Sequence, residues 1–120
     1  MDDCVFCKIA RGELGAHLVY EDEAVVAFND RAPQAPVHVL VIPREHHEHL
    51  GDGVPAQTAA RLLAAVPEVA RRAGLADRGY RVIVNSGRDG NQTVPHLHLH
   101  VMGGRQMSHG MVMFEGAEDG

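Results

Sequence analysis

Apolar and polar positions along the chain predict a short series of strands around one long helix. Residues 17–21 and 24–29 are β-branched or aromatic stretches split by Glu21-Asp22-Glu23, the pattern of a β-hairpin. Residues 31–36 contain Pro33 and Pro36, which lack the donor a central ladder needs. Residues 37–42 return to strand, ended by Pro43. Leu62, Leu63, Val66, Val69 and Ala73 recur at helical spacing within residues 55–73, and Gly74 suits a C-terminal stop. Pro67 lies inside that helix and predicts a kink or a loosened turn. Residues 80–85 and 96–102 are two further strands, joined by a polar loop at 86–93. Shorter helical turns are expected at 5–10 and at 44–50. The fold class is therefore α+β: about five antiparallel strands, one main helix and short helical turns. One helix over one face of a small sheet makes a thin core, which dimerisation through the sheet edge or the helix would remedy.

Length and charge narrow the setting. A chain of 120 residues has room for one domain, taken here as residues 1–120 with 103–120 as a variable tail. It is 45% apolar and has no Trp, so its core is expected to be aliphatic. No apolar run approaches the length of a bilayer span, so no membrane association is expected. The start Met1-Asp2-Asp3-Cys4 lacks the basic and apolar regions of a signal peptide, which points to the cytoplasm and reduced thiols. The net charge is -5, and the Arg residues are scattered apart from Arg71-Arg72. That disfavours long nucleic acids and leaves room for a small anion held by local dipoles.

Histidine is the compositional outlier, with nine in the chain. His46, His47 and His49 form one group and His96, His98 and His100 another, while His17, His38 and His109 stand alone as expected surface or core fillers. On a strand, His96, His98 and His100 share one face and Leu97, Leu99 and Val101 the other. The leucine face belongs to the core, so the histidine face must line something polar. The outer two histidines of a regular strand stand about 13 Å apart, which argues against one metal held by all three. Imidazoles suit nucleophilic attack and proton transfer near neutral pH. The preceding loop Asn85-Ser86-Gly87-Arg88-Asp89-Gly90-Asn91-Gln92-Thr93 can turn backbone N–H groups inward around phosphate oxygens.

The run Val94-Pro95-His96-Leu97-His98-Leu99-His100-Val101-Met102 resembles the signature of the histidine triad (HIT) nucleotide-binding proteins. Further matches lie at Cys4-Val5-Phe6-Cys7-Lys8-Ile9, Pro33-Gln34-Ala35-Pro36-Val37-His38, Val41-Ile42-Pro43, Gly79-Tyr80-Arg81, Val84-Asn85 and Gly103-Gly104-Arg105. They look closest to the branch that cleaves purine nucleoside phosphoramidates. The resemblance implies a homodimer with one purine nucleotide site per subunit. It also implies a nucleotidyl-histidine intermediate formed on His98, with no cofactor required for the chemistry. By the same match His96 positions the nucleophile, His100 contacts the phosphate region, and Thr93 stands near the leaving group. Asn85 and Gln92 match phosphate-loop positions, Phe6, Ile9 and Phe28 would wall the base, and Asp30 would hold the ribose hydroxyls. Three features depart from the common pattern. Asn91 replaces a frequent Gly, Asn29 and Arg31 change the neighbours of Asp30, and the tail from 106 to 120 diverges.

Cys4-x-x-Cys7 admits three readings: a redox pair, two inert buried thiols, or half of a zinc site. Some members of the resembled family, and the related galactose-1-phosphate uridylyltransferases, pair such cysteines with two distant histidines. The resemblance then implies Cys4, Cys7, His46 and His96 as ligands of a structural zinc, with His47 and His49 solvated or alternative ligands. Two rivals to the phosphoramidase expectation remain: a dinucleoside polyphosphate hydrolase using the same His98, and a zinc-stabilised nucleotide sensor or scaffold with little turnover.

Overall fold

The structure is a computed structural model and describes residues 3–110. In chain order its elements are α1 (Val5–Ala10), β1 (Leu18–Glu21), β2 (Val25–Asn29), β3 (Val37–Pro43), α2 (Ala56–Arg72), β4 (Tyr80–Val84) and β5 (Leu99–Gly103). The strands form one sheet in the order β1-β2-β3-β5-β4, and every neighbouring pair is antiparallel. This is the α+β architecture expected, with α2 as the main helix.

Strand alternation assigns the two faces of the sheet. Val25, Ala27, Val39, Val41, Leu99 and Val101 pack with Leu62, Val66 and Val69 of α2. The opposite face carries Val26, Phe28, Leu40 and Ile42 and is met by Phe6 and Ile9 of α1. The core is therefore two-sided where the sequence suggested one covered face. Each fully buried aliphatic side chain here stabilises the fold by about 1.5–3 kcal/mol.

Two local expectations are corrected, at residues 44–50 and at the start of β5, and a third, at Pro67, is defined more closely. α2 runs unbroken through Pro67, which sits on the exposed side of the helix. The carbonyl that loses its donor to Pro67 belongs to Leu63, which is 62% exposed and open to hydration. Residues 44–50 are not helical. Their backbone bonds go to other segments: Arg44 N–H donates to Ala24 O at 2.9 Å, and His47 O accepts from Leu97 N–H at 2.7 Å. β5 begins at Leu99, so His96 and His98 precede the paired strand, with a tight turn from His96 N–H to Val94 O at 2.8 Å. That turn frees His96 from the even spacing of a strand. Among the described residues no helix is long and apolar enough to cross a membrane.

Candidate active site

The face of the sheet opposite α2 opens into a cavity of about 660 Å³. Register across the sheet builds its floor, because His100 pairs with Leu40 and Leu40 with Phe28. Phe6 stands over this row, edge-on to Phe28 at 5.4 Å and to His98 at 5.2 Å between ring centres. Phe6, Ile9, Phe28, Asp30, Thr93, His98 and His100 all line the cavity. One end is apolar and the other carries imidazoles and a hydroxyl, a common design for a small-molecule site.

Hydrogen bonds assign the tautomers of the histidines around it. His98 Nδ1 lies 2.7 Å from the carbonyl of His96, which can only accept. His98 therefore carries its proton on Nδ1 and keeps a lone pair on Nε2. His38 Nδ1 accepts from the Gln34 N–H at 3.0 Å, so its proton sits on Nε2. That Nε2–H faces His100 Nδ1 at 2.8 Å, which leaves the proton of His100 on its own Nε2. Asp30 Oδ2 is 3.4 Å from His38 Nε2 and biases the same arrangement. Burial lowers the pKa of His38, and it holds His100 down to about 4, with His98 and His38 adding to the effect. Both rings are neutral at pH 7, and His100 is a hydrogen-bond donor without being a cation.

His96 is turned away from this cavity. It is fully buried, its Nε2–H donates to Pro43 O at 2.9 Å, and its Nδ1 faces Cys4 Sγ at 3.3 Å and Cys7 Sγ at 3.6 Å. His46 Nδ1 reaches Cys7 Sγ at 3.2 Å. The four donor atoms of Cys4, Cys7, His46 and His96 lie within 4.8 Å of one another. Cys4 caps α1, and its sulfur accepts from the Cys7 N–H, so the first helical turn brings both thiols to one side. Burial and the neighbouring Cys4 push the Cys7 thiol up. Two sulfurs and two imidazole nitrogens suit tetrahedral zinc, and the second nitrogen of His96 already holds a carbonyl, as metal-bound histidines commonly do. The residues fit such an ion.

Asp30, His38 and His100 form another close group within 4.8 Å, but their chemistry differs. To offer a lone pair at Nε2, neutral His38 would need its proton on Nδ1, pointed at the Gln34 N–H. Two donors would then collide, so this group is a hydrogen-bonded relay and not a chelate.

The loop before the histidines is braced from within. Asn85 Nδ2 donates to Gly90 O at 2.7 Å, and Gln92 Oε1 accepts from Gly87 N–H at 2.9 Å. Gln92 Nε2 also binds the carbonyls of Glu48 and Val94. The side chains expected to touch phosphate thus shape the loop that leads to Thr93. Asn91 takes φ 59, the left-handed region that Asn tolerates best after Gly, so the departure at this position keeps the turn. Gly90 is required by contact, since a Cβ there would stand 2.8 Å from Ser86 O.

Sequence reasoning missed His38, treating it as a filler. Its signal was a single polar residue in an otherwise apolar strand, two positions from Leu40 and so on the cavity face. His47 also differs from expectation, whereas His49 keeps to the solvated side. His47 is buried with Nδ1 at 3.1 Å from Asp52 O, while His49 Nδ1 accepts from Gly51 N–H; neither joins the cysteine cluster.

Comparison with known proteins places relatives beside this geometry. The HIT domain family matches residues 11–107. Protein HitA of Neisseria gonorrhoeae is 44% identical over 105 residues, covering 86% of this chain and 97% of that protein. A purine nucleoside phosphoramidase of Escherichia coli K12 is 37% identical over 117 residues, covering 88% of this chain and 91% of the relative. A solved structure, a HIT family hydrolase from Clostridium thermocellum, superposes with TM-score 0.87 at 43% identity, covering 93% of this chain and 99% of that one.

Proposed function

The chain belongs to the HIT domain family, and from that premise we propose that it hydrolyses purine nucleoside 5′-phosphoramidates, or related nucleoside monophosphate esters, through His98. The observation that carries this reading is the state of His98. Its Nδ1–H is held by the His96 carbonyl at 2.7 Å, and the ring stands in the wall of the cavity beside His100 and Thr93. A neutral imidazole with its proton held on one nitrogen keeps the other nitrogen free for attack on phosphorus. The name of the Escherichia coli relative, a purine nucleoside phosphoramidase, supports the same substrate class.

In this scheme the base lies against Phe6, Ile9 and Phe28, the ribose hydroxyls bind Asp30, and the α-phosphate sits by His98 and His100. His98 Nε2 gives its lone pair to the α-phosphorus as the P–N bond breaks, and the bonding pair leaves with the nitrogen. That nitrogen takes a proton from solvent while the Thr93 hydroxyl and the Nε2–H of His100 donate hydrogen bonds to it, and the attacking water later returns a proton to solvent. The nucleotidylated His98 is a cation, stabilised by its bond to the His96 carbonyl. Water then displaces His98 from phosphorus and gives up a proton, and the nucleoside monophosphate is released.

Two supporting assignments belong to the same proposal. Cys4, Cys7, His46 and His96 hold a zinc ion, which when bound supplies a structural cross-link between three chain segments and no activated water. His96 would then join the cluster by its side chain and the nucleophile by its carbonyl. A second copy of the chain pairs at β4, the edge of the sheet. Tyr80, Val82 and Val84 are 38%, 36% and 36% exposed there, and on α2 Leu63 is likewise uncovered.

Incubation with adenosine 5′-phosphoramidate and measurement of AMP release tests the activity. The parent protein is expected to release AMP, and folded His98→Ala to lose about a thousandfold or more in kcat while still binding nucleotide. Absence of release from a folded, nucleotide-binding parent overturns the phosphoramidase reading. A diadenosine polyphosphate in a parallel reaction shows whether the same nucleophile prefers a P–O bond.

A further inference from the structure

Arg31 follows Asp30 directly and lines the same cavity as Phe28 and Leu14. It is exposed and makes no hydrogen bond or ion pair among the described residues. Its backbone is nonetheless fixed on both sides. Asp30 N–H donates to His38 O at 2.9 Å, and Asp30 Oδ1 accepts from Ala32 N–H at 2.9 Å. Arg31 leaves the sheet just past β2, which is two strands from β5 in the sheet order. At ordinary strand spacing that is about 10 Å from the strand that carries His100. Arg31 shares the cavity lining with Phe6, Ile9, Leu14 and Phe28, which form its apolar end.

At that end Phe6, Ile9 and Phe28 offer surfaces to the faces of a flat ring. The edges of the ring are left to polar groups at the rim. Arg31 brings five donors in a planar fork and no acceptor. Guanine presents two acceptors, O6 and N7, side by side on one edge, whereas adenine presents an acceptor and a donor.

We propose that Arg31 is a specificity-determining residue that reads the purine edge and favours guanosine over adenosine nucleotides. The inference rests on the nucleotide reading of the cavity given above and goes beyond it by naming the base and the residue that selects it.

Calorimetric titration of the full chain with GMP and with AMP tests this without requiring turnover. The parent is expected to bind GMP roughly tenfold more tightly than AMP, the range of one good bidentate pair. In Arg31→Ala the two affinities should come within about twofold, with the loss concentrated on GMP. Arg31→Lys should not restore the preference, because an ammonium keeps the charge but lacks the fork. Equal affinities in the parent, a preference for AMP, or a ratio unchanged in Arg31→Ala each overturns the proposal. Turnover of guanosine and adenosine phosphoramidates measured alongside separates the two claims. Base preference without turnover leaves the inference standing and removes the activity, whereas turnover without an Arg31-dependent ratio does the reverse. If neither nucleotide binds, both fall.

Discussion

His38 and His100 show how much chemistry a single backbone amide can direct. The Gln34 N–H occupies Nδ1 of His38, and the resulting Nε2–H is what orients His100 at 2.8 Å. Replacing His38 by Leu should remove that donor, leave His100 free to rotate, and lower kcat about threefold to tenfold, the value of one hydrogen bond. KM should change less than kcat if the relay matters mainly as the leaving group departs, and steady-state kinetics separate the two. Asn91 is a second residue-scale case. At φ 59, Asn91→Ala should lose about 1 kcal/mol of stability while Asn91→Gly stays within about half that amount, by thermal denaturation.

α2 and residues 44–50 make the point for whole elements. The helix was legible because its apolar residues repeat at 3.6, yet Leu63 fits that repeat and is exposed. Periodicity marks a stripe but does not say how wide a face the sheet will cover. Pro67 survives in mid-helix because its missing bond falls on the solvent side. Pro67→Ala should therefore restore a donor without disturbing packing and raise stability by about 1 kcal/mol or more, read as a higher melting temperature. A lower melting temperature would mean that the proline side chain has a packing role of its own. Residues 44–50 taught the opposite lesson. Their helical pattern was overridden because Ala24, Leu97 and Asp52 supply better-placed partners for their backbone and side chains.

For the molecule as a whole, α1 and α2 cover opposite faces of the sheet, and among the described residues no strand pairs with the outer edge of β4. If a second copy closes that edge, Val82→Asp should shift the protein to monomer in sedimentation experiments, whereas Leu14→Asp, far along the chain at the cavity rim, should not. Acid stability is also set globally, through His38 and His100. Both are held neutral by burial, with Asp30 the nearby group opposing this and His98 reinforcing it. In the unfolded chain they protonate near the ordinary histidine value of 6.5, and in the native state His100 waits until about 4. The unfolded chain thus binds more protons within that window, so the contribution of these rings to stability is fully present above it and is lost as pH drops from 6.5 toward 4. Denaturant midpoints measured across this range should decline, and the decline should shrink in His100→Asn. An equal decline in parent and variant would place the acid sensitivity elsewhere.

Local rules acting on the sequence alone determined the order of the strands and the main helix, the leucine face of the final strand, and the run His96-Leu97-His98-Leu99-His100 as the candidate site. Alternation, helical spacing and turn residues all act within a few positions, so a sequence displays them. Only the tertiary structure decided that the three histidines part company. His96 turns to the cysteines through the bend before β5, His98 faces the cavity with a fixed tautomer, and His100 is governed by His38, 62 residues away along the chain. Those outcomes depend on which backbone amide or carbonyl meets which ring nitrogen. Such encounters are set by the register of strands and the packing of loops distant in sequence, and no local pattern encodes them.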